Sequence, residues 1–425
     1  MQQGQASFPR RALLAVSVGT CLSLMGDASL YAVLPTHAAD AGVSLASVGA
    51  LLSANRFIRL LLNGPGGVVY DRGRRRRLFV SAMFIGAFST ALYGLTRGFW
   101  PLMLGRLLWG LAWVGIWIGG NTIVLDVARD ENRGRWVGLY HISFFSGSAG
   151  GSLLGGFLTD RLGYHTAMSV GAAVTLLGAL VAWAFLPETR GFRHKPPESG
   201  AAPLSSATPT PKGSTSPSRW GRAGSATFVA AIALYALHRL AMAGLFQPTF
   251  GLFLLGQMGE QVHIAGRVLG VATLTGMGLG LSTMISAAAA PLIGSFSDRV
   301  GNRWRVAAGG LVPGVAGFSL LALGLPLTTL LGVPLVAITG GSNQGLSTTL
   351  IGESGHIARQ GRRLGVLFTV GDLASAVGPP LAYALIPEIG INSLYLLVAG
   401  LFVSMFLLLL GIASRMRTRG AEPLT

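Results

Sequence analysis

Apolar runs of about 20 residues, each long enough as helix to cross ~30 Å of hydrocarbon, follow one another along the whole chain with short polar breaks between them. In the first half they predict spans over 12–36, 45–69, 78–96, 101–125, 136–158 and 164–186. In the second half they predict spans over 226–255, 264–290, 305–325, 327–350, 364–387 and 391–413. The two-residue alternation of barrel strands is missing from these runs, and a helix satisfies its own backbone in lipid. The first run follows Arg10 and Arg11 and ends near the small residues around Ala38, an outline shared with secretory signals. Eleven further runs behind it make it the first of twelve spans. The expected fold class is an all-α membrane protein with twelve transmembrane helices.

Basic residues then sort the loops, because basic loops stay on the cytoplasmic side. With both termini placed there, cytoplasmic segments hold 25 of the 32 Lys and Arg residues, and the outer loops hold only Arg97, Arg161 and Arg267. Residues 191–222 are rich in Pro, Ser, Thr and Ala with scattered basic residues. Such a segment cannot bury a core and is expected to be a disordered cytoplasmic linker. It would divide an N-terminal six-helix bundle, 1–190, from a C-terminal one, 223–425.

Composition agrees: 51% of the 425 residues are apolar and 11% charged, with a mean hydropathy of +0.58, which excludes an ordinary soluble domain. The net charge of +17 belongs to orientation in the bilayer, given where the basic residues fall, and not to nucleic-acid binding. The 62 glycines suit helices packed closely in lipid. The single cysteine, Cys21, allows no internal disulfide and reads as a small buried residue. Thirty arginines against two lysines suggest a GC-rich genome and hence a bacterial inner membrane.

Adding 227 to positions in the first half lands on like residues in the second. Gly67, Asp71 and Arg72 map to Gly294, Asp298 and Arg299, and Asp126 maps to Glu353. At the same shift Gly134, Arg135, Gly138 and Gly151 meet Gly361, Arg362, Gly365 and Gly378. One shift shared by two separate regions points to duplicated halves, a common transporter plan with the binding site at their interface. The stretch Gly67 to Arg77, GVVYDRGRRRR, and its second copy Gly294 to Arg303, GSFSDRVGNR, resemble the loop signature between the second and third helices of the major facilitator superfamily. The first copy has one residue fewer between its Arg and Gly. A second stretch, Gly147, Gly151, Gly155 and Gly156 in GSAGGSLLGG, resembles the antiporter signature of that superfamily, with Ser152 in place of its proline; the eleventh span keeps Gly378 and Pro379 there. The resemblance implies two pseudo-symmetric six-helix bundles in the major facilitator fold, alternating access, and a central cavity lined by the first, fourth, seventh and tenth helices. For Gly67, Asp71, Arg72, Asp126, Gly294, Asp298, Arg299 and Glu353 it implies a charged latch closing the cytoplasmic side. The alternative is that these arginines only enforce orientation. The glycines tilt the reading toward efflux, while close packing alone also explains them.

A charge inside a span costs at least ~2.5 kcal/mol at the helix centre, so the spans' ionisable residues are functional candidates. Asp27 and Asp372 are the candidates for proton coupling, a task that needs a carboxylate balanced between low dielectric and a nearby arginine. The alternative for Asp27 is a structural ion pair with Arg56 or Arg59. Arg56 and Arg59, three residues apart, project from nearly one helix face and suit a paired anion clamp, although Arg59 also has the reach to snorkel. Arg106, Arg239, Trp113, Asn121, Asn343 and Gln344 complete the candidate substrate cavity. With four arginines against two aspartates, that cavity favours an acidic or zwitterionic ligand. Trp109, Trp113 and Trp117 recur every four residues, either as a stacking surface or as a stripe facing lipid or another helix. His141 and His238 read as packed residues rather than switches. The scaffold repeats but the charges do not: Arg56 maps to Thr283, Arg106 to Val333 and Asp372 to Phe145.

The chain has no phosphate-cradling loop, no metal-ligand cluster and no Ser-His-Asp set, so an enzyme, a cofactor and a metal are not expected. The expected partners are a small-molecule substrate, protons and the lipid bilayer, with no nucleic acid, and the chain acting as a monomer. The leading expectation is proton-coupled efflux of an amphipathic compound. The alternatives are uptake of an organic anion and a non-transporting sensor on the same fold. Asp71→Asn or Asp298→Asn, inserted normally in the membrane, is expected to lower transport; unchanged flux would remove the latch.

Overall fold

The computed structural model describes residues 2–129, 132–191, 223–264, 266–300, 302–353 and 360–420. The expected linker, Gly191 aside, and the Glu353 side chain lie outside what is described. The N-terminal half contains α1 (Gln2–Val33), α2 (Leu45–Arg72), α3 (Arg75–Leu95), α4 (Phe99–Val127), α5 (Arg133–Leu162) and α6 (Tyr164–Phe185). The C-terminal half begins with α7 (Ala223–Arg239), which runs through a π-turn (Leu240–Phe246) into α8 (Gln247–Met258). It continues with α9 (Val271–Val300), α10 (Arg303–Gly309), α11 (Val312–Ala322), α12 (Pro326–Glu353), α13 (Gln360–Ile389) and α14 (Ile391–Gly420). Taking α7–α8 and α10–α11 each as one rod gives twelve. Ten rods among the described residues are apolar and long enough to cross a membrane. The other two, α5 and α12, have the length but carry many Gly, Ser and Thr residues.

The two halves superimpose in sequence register. Shifting the bounds of α5 by 227 gives 360–389, the bounds of α13, and shifting α4 gives 326–354, within one residue of α12. The spans expected from the apolar runs agree with these rods in number and order. One difference is a hairpin of β1 (Gln261–Ile264) and β2 (Arg267–Gly270) between the seventh and eighth spans, in antiparallel register with Gln261 opposite Gly270. Gly266, at φ 75°, supplies the left-handed turn residue that the hairpin needs. A second difference is the π-turn. Pro248 has no N–H to give to the carbonyl four residues back, and the preceding Gln247 N–H bonds to Met242 O, five back. At the same level Gly244 lies against Gly378 of α13, close enough that a Cβ on it would sit 3.1 Å from the Gly378 Cα.

Small residues set the contact between halves. Along α5 and α9, a Cβ on Gly156 would strike the Ala272 carbonyl, one on Gly276 the Ser152 carbonyl, and one on Gly280 would lie 3.1 Å from Ala149 O. Along α2 and α13, a Cβ on Gly49 would lie 2.8 Å from Pro379 O. All these contacts fall toward the end of the bundle that carries the β-hairpin. At the other end, where Asp71 and Asp298 lie, a Cβ on Gly64, Gly67, Gly134, Gly138, Gly294 or Gly365 would meet nothing within 4 Å. The halves are therefore zipped at the hairpin end and parted at the Asp71 end. Gly147, Gly151 and Gly155 do another job: they let α5 press on α1 at Cys21, Met25 and Ser29. Gly156→Leu is expected to hold the hairpin end ajar. The check is Ser152→Cys in a Cys21→Ser background, labelled by an impermeant maleimide added from the hairpin side. Labelling should rise and transport fall, and an unchanged labelling rate would refute this.

Candidate functional site

The ionisable residues inside the spans gather into two clusters rather than one. In the first, wholly within the N-terminal half, Arg106 on α4 is fully buried and spends all three guanidinium nitrogens. Nη1 donates to Asp27 on α1, Nη2 to the Tyr31 hydroxyl at 2.8 Å, and Nε to the Leu51 carbonyl at 3.1 Å. The Tyr31 ring faces two guanidiniums, that of Arg106 at 5.1 Å and that of Arg56 at 5.3 Å. The Tyr31 hydroxyl donates onward to Leu52 O at 3.3 Å. A charge pair this enclosed is held by geometry and by full hydrogen bonding. Asp27 thus pairs with Arg106 and with neither Arg56 nor Arg59. Arg106, expected in the substrate cavity, is withdrawn into the bundle.

The second cluster joins the halves. Asp372 on α13 accepts from Arg59 Nη2 at 2.6 Å and from Asn63 Nδ2 at 3.3 Å, both on α2, and Arg239 Nη2 on α7 stands 3.5 Å away. One turn along, Arg56 Nη1 donates to the Ser375 carbonyl at 2.8 Å. Arg56 and Arg59 thus each hold a partner on α13, a carbonyl and a carboxylate. In this conformation both reach across to α13, and Arg59 does not snorkel. Their side chains lie at the level where zipped contacts give way to the open cleft, and those of Arg59 and Arg239 remain 18% and 23% exposed.

An aromatic row runs out from the core of the N-terminal half, with Trp109 and Trp113 buried and Trp117 and Phe144 packed against them. Trp113 and Trp117 are stacked at 5.7 Å, Trp117 and His141 of α5 at 5.4 Å with 14° between planes, and Phe144 packs edge-on to Trp117 at 5.4 Å. Trp109 stacks at the inner end of this row. Asn121 lies one turn beyond Trp117 and donates to its carbonyl at 2.8 Å. Across the molecule, on α12, Asn343 is fully buried with neither amide atom hydrogen-bonded, and Gln344 is exposed. His238 is also buried, with Nδ1 unpartnered.

The family model described as Major Facilitator Superfamily matches residues 16–283 and 242–423. The chain belongs to the major facilitator superfamily. Among its relatives, the inner membrane transport protein YnfM of Escherichia coli is 28% identical over 199 residues, 45% of this chain and 46% of that protein. The inner membrane transport protein YajR of Escherichia coli is 26% identical over 176 residues, 41% and 38% of the two chains. The chain thus aligns with less than half the length of these two relatives. The tetracycline resistance protein, class E, of Escherichia coli aligns over 381 residues at 24% identity, 87% of this chain and 86% of that one. Two solved structures share the fold. The peptide transporter POT in complex with sulfate gives a TM-score of 0.76 at 15% identity, over 97% of this chain and 98% of that one. A bacterial homolog to the human lysosomal transporter Spinster, in an inward-facing and occupied conformation, gives 0.71 at 17% over 96% of each chain.

In this facilitator the parted Asp71 end leaves the described residues of the expected latch bonded within their own halves or exposed. Asp71, Arg72, Asp298 and Arg299 are exposed. Asp126 accepts from Arg75 Nε at 3.3 Å and from Thr189 Oγ1 at 3.2 Å. Asp298 pairs with Arg303 of its own copy at 2.9 Å, and the Arg72 carbonyl accepts from Arg190. These pairings follow from the parted Asp71 end, which takes the two loop copies out of each other's reach. Sequence reasoning missed Tyr31, Asn63, Arg75 and Ser375. It also missed Asp160 at the hairpin end of α5, whose Oδ2 accepts from Thr273 N at 2.7 Å and Thr273 Oγ1 at 2.5 Å on α9. An acid at a span end opposite a helix start was the available signal. Arg106→Ala, which leaves Asp27 buried without its partner, is expected to destabilise the protein by about 3–5 kcal/mol. Arg59→Ala, at a partly exposed pair, should cost far less. Thermal unfolding in detergent ranks the two, and equal losses would contradict the burial argument.

Proposed function

We propose that this facilitator is a proton-coupled exporter of a small amphipathic compound, seated in a bacterial inner membrane with both termini and the Asp71 end in the cytoplasm. Residues 1–190 and 223–425 are the rocking halves and 191–222 the linker. The observation that carries the reading is the Asp372 cluster, a carboxylate of one half gripped by Arg59 and Asn63 of the other. Alternating access requires the halves to part at one end as they close at the other. When the hairpin end opens, α2 leaves α13, and Asp372 loses Arg59 and Asn63 and takes a proton from outside in their place. Return to the state described here brings Arg59 back and expels that proton to the cytoplasm while the cleft refills with substrate. Each cycle exchanges a proton for a substrate through one carboxylate. The alignment with tetracycline resistance proteins over most of the chain supports export. Asp27, locked on Arg106 inside one half, has no such change of partner and serves as a structural ion pair. In everted vesicles under an imposed pH gradient, Asp372→Asn is expected to abolish gradient-driven accumulation while substrate exchange continues, and Asp27→Asn to keep its pH response if it folds. A wild-type pH response in Asp372→Asn would overturn the assignment.

A further inference from the structure

The exported compound has a chemical class written in the cleft, granted the transporter reading above. We propose that it is a planar aromatic acid, its ring laid against His141 at the end of the Trp113–Trp117 row and its carboxylate drawn to Arg59 and Arg239. Three observations converge on this. The first is which way the end of the aromatic row faces. On α5 the residues that touch α9 at the hairpin end are Ala149, Ser152 and Gly156. Helical steps of three and four residues carry the same face inward to Phe145 and His141, both partly exposed, and beyond them a Cβ on Gly138 or Gly134 would meet nothing. His141 therefore fronts the parted cleft, and Trp117, stacked on it within 14° of parallel, backs it with its own ring half-buried. Trp113, Trp117 and His141 form one stacked row with Phe144 edge-on, and the last ring of that row, the imidazole, offers the flat surface suited to another flat π-system.

The second observation is charge. At the top of the cleft two guanidiniums, Arg59 and Arg239, share the single carboxylate of Asp372, and Arg56 bonds only a carbonyl there. Asp27 offers nothing in compensation, since it is spent on Arg106. The excess is positive, and a carboxylate is the group that matches it bidentately.

The third is spacing. Gly110 of α4 packs on Asn55 and Ile58 of α2, which puts Arg59 at the level of Gly110. Trp113 and Trp117 follow one and two turns toward the open end, about 10 Å from Gly110 to Trp117 at ~1.5 Å per residue. A ring carried on a short acid arm spans that interval.

Cinnamate, 3-cyclohexylpropanoate and cinnamyl alcohol separate the contributions. Equilibrium binding to the purified protein should favour cinnamate over both others. His141→Leu should weaken cinnamate roughly two- to tenfold and leave 3-cyclohexylpropanoate unmoved, with His141→Phe recovering part of the loss. Arg239→Ala should weaken both acids alike and spare the alcohol. Should His141→Leu unfold, His141→Gln and His141→Phe carry the same comparison. The substrate class is overturned if the cyclohexyl acid or the alcohol binds as tightly as cinnamate, or if no acid binds while another class of compound moves down a proton gradient. That last result leaves the exporter standing. If no compound of any class moves in response to the gradient, the exporter reading itself falls.

Discussion

Hydrocarbon solvates neither a bare backbone dipole nor a bare charge, and every arrangement seen here follows from supplying partners for what lipid will not. Backbone groups are satisfied by coiling each run into a helix. Charges are satisfied only sideways, by a residue on another helix, so each intramembrane arginine has fixed two helices relative to each other. Arg106 ties α4 to α1, and Arg59 ties α2 to α13. The first tie lies within a half and stiffens it. The second lies between halves, and it holds only while they are together at that level.

Close approach of backbones is the second element of the design. The antiporter-like glycines and the small residues of α9 bring main chains nearer than any side chain would allow. Lipid exerts no hydrophobic pressure to drive helices together, so dispersion contacts at short range carry the association. Such contacts fall off steeply with separation, and a seam built from them opens as a unit. The same glycine-lined faces are zipped at the hairpin end and bare at the Asp71 end, so the two ends differ in distance and not in composition.

Much of this was legible in the chain. The twelve rods show as apolar runs because the bilayer has one thickness, and the duplication shows because a 227-residue shift preserved both loop signatures and helix bounds. Six charged candidates stood out because hydrocarbon makes any charge conspicuous. Their partners were not legible. Which arginine meets Asp27 depends on the rotation of α1 against α4 and α2, and that is settled by contacts such as Gly110 on Asn55 and Gly86 against Trp109, invisible to periodicity. Asp160 escaped notice for the opposite reason, lying at a span end where charge is ordinary. The π-turn at Leu240–Phe246 escaped because a helix reads the same in sequence whether its bonds run four or five residues back.

Asp160 has one more effect. The Thr273 N–H that it accepts belongs to the third residue of α9, a position normally capped by the helix's own leading residue, and no side chain on Gly270 is there to do so. A foreign carboxylate therefore finishes a helix of the opposite half, and a Cβ on Gly270 would collide with it. When the hairpin end gapes, the first turn of α9 is left uncapped at a cost of about 0.5–2 kcal/mol. The state described here is thus favoured roughly two- to thirtyfold in population over one gaping at the hairpin end, a preference for waiting shut on that side that anything bound in the cleft would have to offset.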